Sequence, residues 1–523
     1  MKPISVIQCI ALLLAIALIA GCTQVPINQQ INQPITQEQT DERKTSTVTP
    51  ANGETIQLDA RSITRTINGD KIDLYGYNGE TPGPTLRVRQ GSIIYVNFTN
   101  NLPEPTTIHW HGLRHNFKDD GVPGISQEPV KPGESFLYTL YFPDAGIFWY
   151  HPHVREDRQQ DMGLYANILV EPSIDTRNPV QQEALLMIDD ILLEDGKNVG
   201  YGKDHANFAL MGRFGNTMLI NGQTDYRLNV KQGETIRLYI TNAANTRPFN
   251  LSIENTQLKI VGSDLGLYEK EIVSDHVVIG PAERYSIEVT FGSPGIYKIR
   301  NINMWDQYEM GSIAVSSSNE NFKSAPDERG EASNDIRSYQ QYFDKPVDEE
   351  IRLGLETNHG MMGSMMGGMK DMHSVSPIEW EDTMMNMNSM TTSRMLTWFL
   401  EDKKSKARNM DLTYQFKKGD VKKIRFVNDK KSDHPMQHMI HLHGQRFLVL
   451  EEDGKKNEDL VWKDTFLIAS GSTVDILLDA SNPGQWMMHC HIAEHLEAGM
   501  MGQFIVSETG DEEPIGQKTE GHQ

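Results

Sequence analysis

Apolar and polar residues alternate along many short stretches of this chain, and three of these stretches share one form. They read LRVRQGSIIYVNFTN (86–100), LNVKQGETIRLYITN (228–242) and YQFKKGDVKKIRFVN (414–428). In each, an alternating segment reaches a glycine turn, and a second alternating segment ends in Asn. Alternation with a period of two is typical of strands with one buried face, and the glycine turn predicts hairpin-like pairing of the two strands.

Two further elements follow each copy in the same order. The second elements are KPGESFLYTLYF (131–142), GPAERYSIEVTF (280–291) and ASGSTVDILLD (469–479). The third elements are PDAGIFWYHPH (143–153), SPGIYKIRN (293–301) and NPGQWMMHCH (482–491). Three elements that recur three times in one order indicate an internal repeat. The pattern predicts three related β-sandwich domains near 51–172, 173–318 and 345–508, with a polar linker over 319–344 and a tail over 509–523.

Ten of the 17 histidines fall in four short clusters. These are HWHG (109–112), HPH (151–153), HMIHLHG (438–444) and HCHIAEH (489–495). Domain 2 has none of them, and we expect Phe249–Ser252 and Lys298–Arg300 at the equivalent places. Residues i and i+2 of a strand point the same way, about 6.6 Å apart. Four His-x-His pairs can therefore present eight imidazoles to one cavity, which suits a cluster of about three Cu, Zn, Fe or Ni ions.

Cys490 lies between two of these histidines and must face the opposite side of the strand. There it can meet His438 and His495, with Met500 beyond. Two imidazoles, one thiolate and a weak thioether are the ligands of a blue-copper electron-transfer site. Tetrahedral zinc on Cys and His ligands would leave the other histidines unexplained.

These motifs closely resemble those of the multicopper oxidase family, and the resemblance covers nearly the whole mature chain. It implies an all-β fold of three consecutive cupredoxin-like Greek-key β-sandwich domains that hold four copper ions. It implies type 1 ligands His438, Cys490, His495 and Met500, type 2 ligands His109 and His441, and type 3 ligands His111, His151 and His491 on one ion and His153, His443 and His489 on the other. Members of the family take four single electrons from a substrate at type 1 copper and reduce O2 to water at the trinuclear cluster.

The chain departs from the family pattern beside its type 1 histidines. Met439 follows His438, where the family commonly has Pro, and the His434-Pro435 pair is in the wrong register to supply the ligand. Leu496 stands where many bacterial members carry an acid after the second type 1 histidine. Glu494 and Glu497 are close in sequence, so the acid that delivers protons on this side stays open.

Asp120 matches the family's acid near the type 2 copper. Proton transfer during O2 reduction needs a donor within reach, so we expect Asp120 to be a catalytic residue. We also expect Cys490 to be catalytic, because its backbone joins the type 1 site to His489 and His491. The alternative is that Asp120 is a turn residue before Gly121.

Residues 359–395 hold 11 of the 25 methionines, interleaved with Gly, Ser and Asn. Thioether is a soft ligand that selects Cu(I), and a similar segment lies at this point in cuprous oxidases of the family. We expect this Met-rich insertion to recruit copper rather than to be a featureless flexible insertion. The expected Cu(I) entry residues are Met436, Asp433, His434, Met361, Met362, Met365, Met366, Met369 and Met372.

The N-terminus predicts export. Lys2, an apolar run over 10–20, Gly21 and Cys22 form a secretory signal that is too short to cross a bilayer comfortably. Ile19–Cys22 resembles the bacterial lipobox, which implies a lipoprotein signal peptide over 1–21, lipid on Cys22 and a flexible tether to residue 50. The alternative is an ordinary secretory signal with an incidental cysteine. We expect a lipid-anchored protein that faces the periplasm or the cell exterior.

The chain of 523 residues is acidic, with 49 Lys and Arg against 71 Asp and Glu and a net charge of −22. This balance argues against nucleic acid as a partner. We expect a monomer that uses O2 and oxidises Cu(I), as a cuprous oxidase in copper tolerance. A laccase-type oxidase of phenols or aromatic amines is the alternative enzyme, and a copper-sequestering lipoprotein is the non-enzymatic alternative.

Overall fold

The computed structural model describes residues 45–174, 177–303, 306–320, 322, 332–357 and 376–510. The predicted signal peptide and Cys22 lie outside the described residues. So do the six methionines of the first half of the Met-rich insertion, Met361, Met362, Met365, Met366, Met369 and Met372. In the part of the chain that is described, no helix has the length and apolar character needed to cross a membrane.

Domain 1 is a sandwich of two sheets whose apolar side chains share one core. Its elements are β1 (Thr47–Val48), β2 (Thr55–Ile67), β3 (Asp70–Tyr77), β4 (Thr85–Arg89), β5 (Ile93–Asn101), β6 (His109–His111), a 3-10 turn (Phe117–Asp119), β7 (Ser135–Tyr141), β8 (Gly146–His151), α1 (Glu156–Gln159) and β9 (Ala166–Glu171). The sheet orders are β1-β4-β9-β8-β6 and β3-β2-β5-β7. Strand β1 lies within the predicted tether and pairs in parallel with Thr85 and Leu86, so domain 1 begins before residue 51.

Domain 2 repeats the sandwich. Its strands are β10 (Gln182–Ile191), β11 (Leu193–Glu194), β12 (Lys197–Asn198), β13 (Thr217–Ile220), β14 (Tyr226–Lys231), β15 (Thr235–Asn242), β16 (Phe249–Ile253), β17 (Leu258–Ser263), β18 (Gly266–Ser274), β19 (His276–Ile279), β20 (Arg284–Thr290), β21 (Gly295–Ile302) and β22 (Gln307–Ser316). They form sheets of order β13-β10-β15-β20-β17-β18 and β14-β22-β21-β16-β19, with β11 and β12 as a separate ribbon.

The predicted linker before domain 3 contains helix α2 (Ala332–Ser338) and a 3-10 turn (Gln340–Tyr342). Ile336, Tyr339, Tyr342 and Phe343 pack against the core of domain 1. This polar segment is therefore folded back onto the protein in the part that is described.

Domain 3 has the same strand orders as domain 2. Its elements are β23 (Glu349–Thr357), α3 (Met385–Asn388), β24 (Leu396–Asp402), a 3-10 turn (Asn409–Asp411), β25 (Thr413–Lys417), β26 (Asp420–Asn428), β27 (His438–Leu442), β28 (Arg446–Glu452), β29 (Lys455–Lys456), β30 (Thr465–Ile468), β31 (Thr473–Ala480), β32 (Gly484–Cys490), α4 (Ala493–Glu497) and β33 (Met501–Ser507). The sheets are β24-β23-β26-β31-β28-β29 and β25-β33-β32-β27-β30. Leu448, Leu450, Trp462 and Leu477 of this domain join the core of domain 1, so domains 1 and 3 pack directly together.

The prediction that the two strands of each repeat pair as a hairpin was wrong. The strands that flank each glycine turn, such as β4 and β5, lie in opposite sheets of the sandwich and do not pair. Val88 of β4 and Val96 of β5 both point into the shared core. Alternation indicates only that one face of each strand is buried, and a turn that crosses between sheets satisfies it as well as a hairpin does.

Strand register also corrects the predicted counterpart of the histidine strand. Counted from the Pro-Gly turn that begins both β21 and β32, Asn301 takes the place of Cys490. The two residues lie opposite Leu251 and Ile440, which hold equivalent positions on the neighbouring strands. The prediction of Lys298–Arg300 was therefore displaced by two residues.

Candidate metal centres

Eight buried imidazoles meet where domains 1 and 3 pack together. Strands β6 and β8, with His153 two residues beyond β8, carry one half of the set. Strands β27 and β32, with the residues directly after them, carry the other half. Potential ligand atoms lie within 4.8 Å of one another in three groups, which are His109, His111 and His441; His111, His151 and His491; and His153, His443 and His489. The last two groups are the residues expected for the two type 3 ions, and the first contains the pair expected for the type 2 ion.

Strand pairing brings these rings together within each domain. His109 lies opposite His151 in domain 1, and His441 lies opposite His489 in domain 3. Across the domain boundary, the rings of His111 and His441 stack with their centroids 3.7 Å apart. The His-x-His spacing therefore does place both members of each pair on one side, as strand geometry requires.

Hydrogen bonds and ion-pair contacts fix which ring nitrogen faces the cluster in seven of the eight histidines, all but His491. The Nδ1 atoms contact carbonyl or carboxylate oxygens as follows: His109 to Asp120 O at 2.8 Å, His151 to Pro152 O at 2.9 Å, His441 to Asp464 O at 2.9 Å, His489 to Cys490 O at 3.0 Å, His153 to Glu156 Oε1 at 2.9 Å, and His443 to Asp120 Oδ2 at 2.9 Å. An oxygen acceptor requires a protonated nitrogen, so Nε2 of these rings is left as the lone-pair donor.

His111 presents the opposite nitrogen. Its Nε2 lies 3.0 Å from Asp464 Oδ1 and 3.0 Å from Thr465 Oγ1, which leaves Nδ1 facing the cluster. Among the described residues, the buried atoms without a hydrogen-bond partner include Nε2 of His109, His151, His153 and His441 and Nδ1 of His111. Converging unsatisfied lone pairs are the donor set that a metal cluster needs.

Six of the eight rings have the lowered pKa that suits neutral metal ligands. Burial, followed by neighbouring imidazoles, lowers the pKa of His111, His441 and His489 well below 6.5. Burial, followed by His491 and His109, lowers the pKa of His151 in the same way. The pKa of His443 falls to about 3 and that of His491 to about 4, chiefly through burial. His443 Nε2 and His489 Nε2 face each other at 2.9 Å, and two neutral acceptors at this distance repel unless a cation lies with them.

A second group forms on the other face of β32. Cys490 Sγ lies 3.7 Å from His438 Nδ1 and 3.8 Å from His495 Nδ1, and all three residues are buried. Met500 is fully buried in the same core, and its carbonyl accepts a bond from the Cys490 amide at 3.0 Å. Burial raises the pKa of the Cys490 thiol to about 12, so the thiolate that copper requires forms when a cation binds.

Asp120 lies between the two halves of the cluster rather than at the surface. Burial opposes its ionisation, but His443 and His109 outweigh burial and hold the pKa of the carboxyl well below its usual range. His115, which sequence reasoning missed, is buried with its Nε2 3.7 Å from Asp120 Oδ1. The Asp120 carboxyl therefore contacts candidate ligands directly, in addition to preceding the turn at Gly121.

The acids beside His495 have separate surroundings. Glu494 is buried and accepts bonds from Asn245 Nδ2 at 3.2 Å and Thr246 Oγ1 at 3.1 Å. Burial, followed by Asp157, raises the pKa of Glu494 to about 8 and that of Glu497 to about 7. Leu496 packs among apolar residues instead.

Besides His115, four more residues of the site escaped sequence reasoning. Asp464, Thr465 and Arg284 surround His111, and Glu156 holds His153. Glu156 follows His153 by three residues, a spacing that could have suggested the contact. Asp464 and Arg284 are distant in sequence from their partners, so only the fold brings them to the cluster.

Three of the expected Cu(I) entry residues are among the described residues, and they have different surroundings. Met436 is fully buried in the core that contains Cys490. His434 is buried and close enough to contribute to the lowered pKa of His438. The Asp433 carboxylate accepts bonds from the Thr357 amide and hydroxyl at 3.1 and 3.0 Å, so it is already engaged.

Three family models described as multicopper oxidase match this chain, at residues 59–175, 191–318 and 380–510. The chain is 28% identical over 451 residues to multicopper oxidase mco of Staphylococcus aureus, which covers 84% of this chain and 85% of that relative. It is 24% identical over 564 residues to copper resistance protein A of Escherichia coli, which covers 84% of this chain and 91% of that relative.

Solved structures give the same likeness. A multi-copper oxidase from Pseudomonas thermotolerans is 26% identical with a TM-score of 0.67, over 88% of this chain and all of that chain. A structure described as a multicopper oxidase and metallo-oxidase from Campylobacter jejuni is 25% identical with a TM-score of 0.67, over 89% of this chain and 96% of that chain. These matches extend across the three domains.

Proposed function

The chain belongs to the multicopper oxidase family, and on that premise we propose that it is a cuprous oxidase that protects the cell from copper. The type 1 ion is assigned to His438, Cys490, His495 and Met500, the type 2 ion to His109 and His441, and the type 3 ions to His111, His151 and His491 and to His153, His443 and His489. When bound, the four coppers supply one-electron oxidation of substrate and reduction of O2 to water.

The chain itself connects the two sites and controls their surroundings. Cys490 is bonded through the backbone to His489 and His491, so a short covalent path joins the type 1 group to the cluster. Burial of these ligands keeps bulk water away from both sites. Asp120, with one oxygen 2.9 Å from His443 Nδ1, is placed to take up a proton and pass it on.

The observation that carries the choice of Cu(I) is the cover over the type 1 group. His438 and His495 are 1% and 0% exposed. The Trp398 ring stacks on His495 with centroids 4.0 Å apart, and its Nε1 donates to Ala209 O of domain 2 at 2.8 Å. A phenol ring needs an open edge beside a type 1 histidine, whereas an ion needs only a chain of ligands.

The described half of the Met-rich insertion is part of this cover. Asn388 donates to Gly212 O at 2.8 Å and accepts from the Met211 amide at 3.0 Å, and Thr391 Oγ1 accepts from the Leu210 amide at 3.0 Å. Met384 and Met387 pack against the core that contains Cys490. In contrast, Met385 and Met390 are 55% and 63% exposed, so their thioethers are open to ions from solution.

Glu379 is a further acid on this side. Its amide donates to Gln437 Oε1 at 2.8 Å and its carbonyl accepts from Gln437 Nε2 at 3.1 Å, which fixes its backbone against the residue that precedes His438. Burial, followed by Asp382, raises the pKa of Glu379 to about 7. A buried acid on the segment that contacts Gln437 supports the approach of a cation on this side.

The test compares O2 uptake driven by Cu(I) with uptake driven by a phenol on one copper-loaded preparation. Replacing the six methionines of 361–372 by serine should raise KM for Cu(I) several-fold and leave phenol oxidation and blue colour unchanged. The control variant carries the same number of substitutions, serine to alanine and glycine to serine. They are placed in 359–375 and in other exposed loops. A parallel loss on both substrates, or unchanged Cu(I) kinetics, would favour a laccase instead.

We also propose that the protein is a lipoprotein anchored through Cys22. The lipobox-like Ile19–Cys22 supports this. Cys22→Ser should move the protein from the membrane fraction to the soluble fraction with unchanged oxidase activity, while Cys9→Ser should not. Retention of Cys22→Ser with the membranes, together with lipid label, would contradict the anchor.

A further inference from the structure

Arg284 of domain 2 lies where the three domains meet beside the histidine cluster. Its side chain is 0% exposed. Its Nε donates to Ile147 O of domain 1 at 2.8 Å, and its Nη1 and Nη2 donate to the two carboxylate oxygens of Asp464 in domain 3 at 2.6 and 2.5 Å. One guanidinium of the domain without copper motifs therefore joins the two domains that have them.

Asp464 carries this contact to two candidate ligands. Its Oδ1 lies 3.0 Å from His111 Nε2, and its carbonyl accepts from His441 Nδ1 at 2.9 Å. Thr465 Oγ1 lies 2.8 Å from Asp464 Oδ1 and 3.0 Å from each of the two rings. The carboxylate that Arg284 holds is thus the acceptor that makes His111 present Nδ1.

The glycine of the HWHG motif shows how closely this ion pair approaches domain 1. Gly112 has φ +84°, and a Cβ there would lie 2.4 Å from Asp464 Oδ2 and 2.9 Å from Arg284 Nη2. A larger residue would displace the ion pair, so the close approach of Arg284 and Asp464 requires a glycine directly after His111.

A second buried layer holds the pair in place. Asp264 Oδ1 accepts from the Arg284 amide at 3.1 Å, and Asp264 Oδ2 accepts from the Asp464 amide at 3.3 Å. Lys463 Nζ lies 3.4 Å from Asp264 Oδ2 and 3.2 Å from Glu283 Oε1. Two buried cations, Arg284 and Lys463, thus lie among three buried acids, Asp264, Asp464 and Glu283. A planar fork that bonds two oxygens of Asp464 at once fixes the orientation of the carboxylate in a way a lysine cannot.

We propose that Arg284 is a positioning residue that, through Asp464, sets the ring orientation of His111 and so the copper affinity of the cluster. The proposal rests on the copper cluster of the proposed function. Domain 2 contributes no ligand under this assignment, but it holds a ligand of domain 1 in register with domain 3. Groups that orient metal ligands typically change metal affinity by about 10- to 100-fold when they are altered.

The test compares Arg284→Lys with the control Arg237→Lys. Arg237 is also buried in domain 2, and it donates to Glu288 Oε1 at 3.0 and 2.6 Å without a bond to a cluster histidine. Copper per chain, the blue type 1 band and the type 2 electron paramagnetic resonance signal are measured at limiting copper. Arg284→Lys should keep the blue band, bind cluster copper about 10- to 100-fold more weakly and alter the type 2 signal, while Arg237→Lys keeps all three. A full copper content with a wild-type type 2 signal in Arg284→Lys would overturn the proposal.

Nitrogen-15 NMR of the metal-free, histidine-labelled protein gives an independent readout. Wild-type His111 should be protonated at Nε2, and Arg284→Lys should show a mixture of the two tautomers. A wild-type His111 protonated at Nδ1 would overturn the proposal even if Arg284→Lys does not fold. A wild type that shows the Nε2 tautomer but binds no cluster copper would contradict the proposed function instead, so the two failures are distinguishable.

Discussion

Domains 2 and 3 have the same strand orders, yet equivalent positions in them carry different kinds of polar side chain. Where domain 3 has His443 and His489 with their Nε2 atoms 2.9 Å apart, domain 2 has Glu254 and Arg300, an ion pair at 3.3 Å. The ion pair is about one-third exposed, with side chains 31% and 28% accessible, whereas both histidines are 0% exposed.

The residue at the position of Cys490 also differs between the two domains. Asn301, at the place of Cys490, is buried, and its Oδ1 accepts a bond from the Asn250 amide at 2.9 Å. Domain 2 thus has polar groups that bond to one another where domain 3 has ring nitrogens and a thiol. The same sandwich therefore forms in domain 2 without such a ligand set, whereas in domain 3 the buried nitrogens without partners are those that a metal would complete.

The largest expected effect comes from replacing Cys490 of domain 3 by Asn, the residue at the equivalent position of domain 2. Cys490→Asn should abolish both the blue absorption and the oxidase activity, because the amide cannot replace a thiolate ligand. Circular dichroism should show an intact fold, since Asn occupies this position in domain 2. The visible spectrum of copper-loaded protein is the measurement, with Cys490→Ser as a second loss of the thiolate. A blue Cys490→Asn variant would refute the type 1 assignment.

A double exchange tests the cluster alone. His443→Glu with His489→Arg should lower O2 consumption by more than about 100-fold, since it removes two ligands rather than their supports. The blue band should persist, because His438, Cys490, His495 and Met500 are unchanged. His443→Gln with His489→Gln is the control for the added volume of Arg. Loss of the blue band in both pairs would mean that the two sites do not separate in this way.

The sequence predicts the sandwiches and the ligand sets better than the connections between strands. The His-x-His pairs were expected on one side of their strands, and the structure brings all eight rings together, because strand alternation is local and strict. The hairpins were wrong because the same alternation fits a turn between sheets. The domain 2 counterpart was displaced by two residues, because the Pro-Gly turn that begins both strands sets their common register.

The contacts that orient the ligands were largely out of reach of the sequence. Asp464 and His111 are 353 positions apart, and no local pattern links them. Arg284 sits in a repeat segment that was recognised only as a strand. Such partners are fixed by how three domains pack, which period-two alternation does not encode.

Asp120→Asn should have a smaller effect than loss of ligands. Asn keeps the shape beside His443 but cannot carry a proton as a carboxyl does, so O2 turnover should fall by about 100-fold while copper content and reduction of the type 1 site stay near normal. Stopped-flow reduction and steady-state O2 uptake separate the two steps. Equal O2 turnover in variant and wild type would leave Asp120 as a turn residue.

The reverse exchange should have the smallest effect and tests the comparison from the other side. Glu254→His with Arg300→His puts two imidazoles into domain 2 at the places of His443 and His489. Copper content should not rise, because a cluster also needs histidines from a second domain, and these positions are about one-third exposed instead of buried against domain 1. The lost ion pair should change the free energy of unfolding by less than about 1 kcal/mol, since partly exposed pairs contribute little. Metal analysis and denaturant unfolding, with Glu254→Gln and Arg300→Gln as the control pair, make the measurement. Additional tightly bound copper in the histidine pair alone would show that the sandwich strands suffice to build a site, and that packing against domain 1 is not what restricts copper to domain 3.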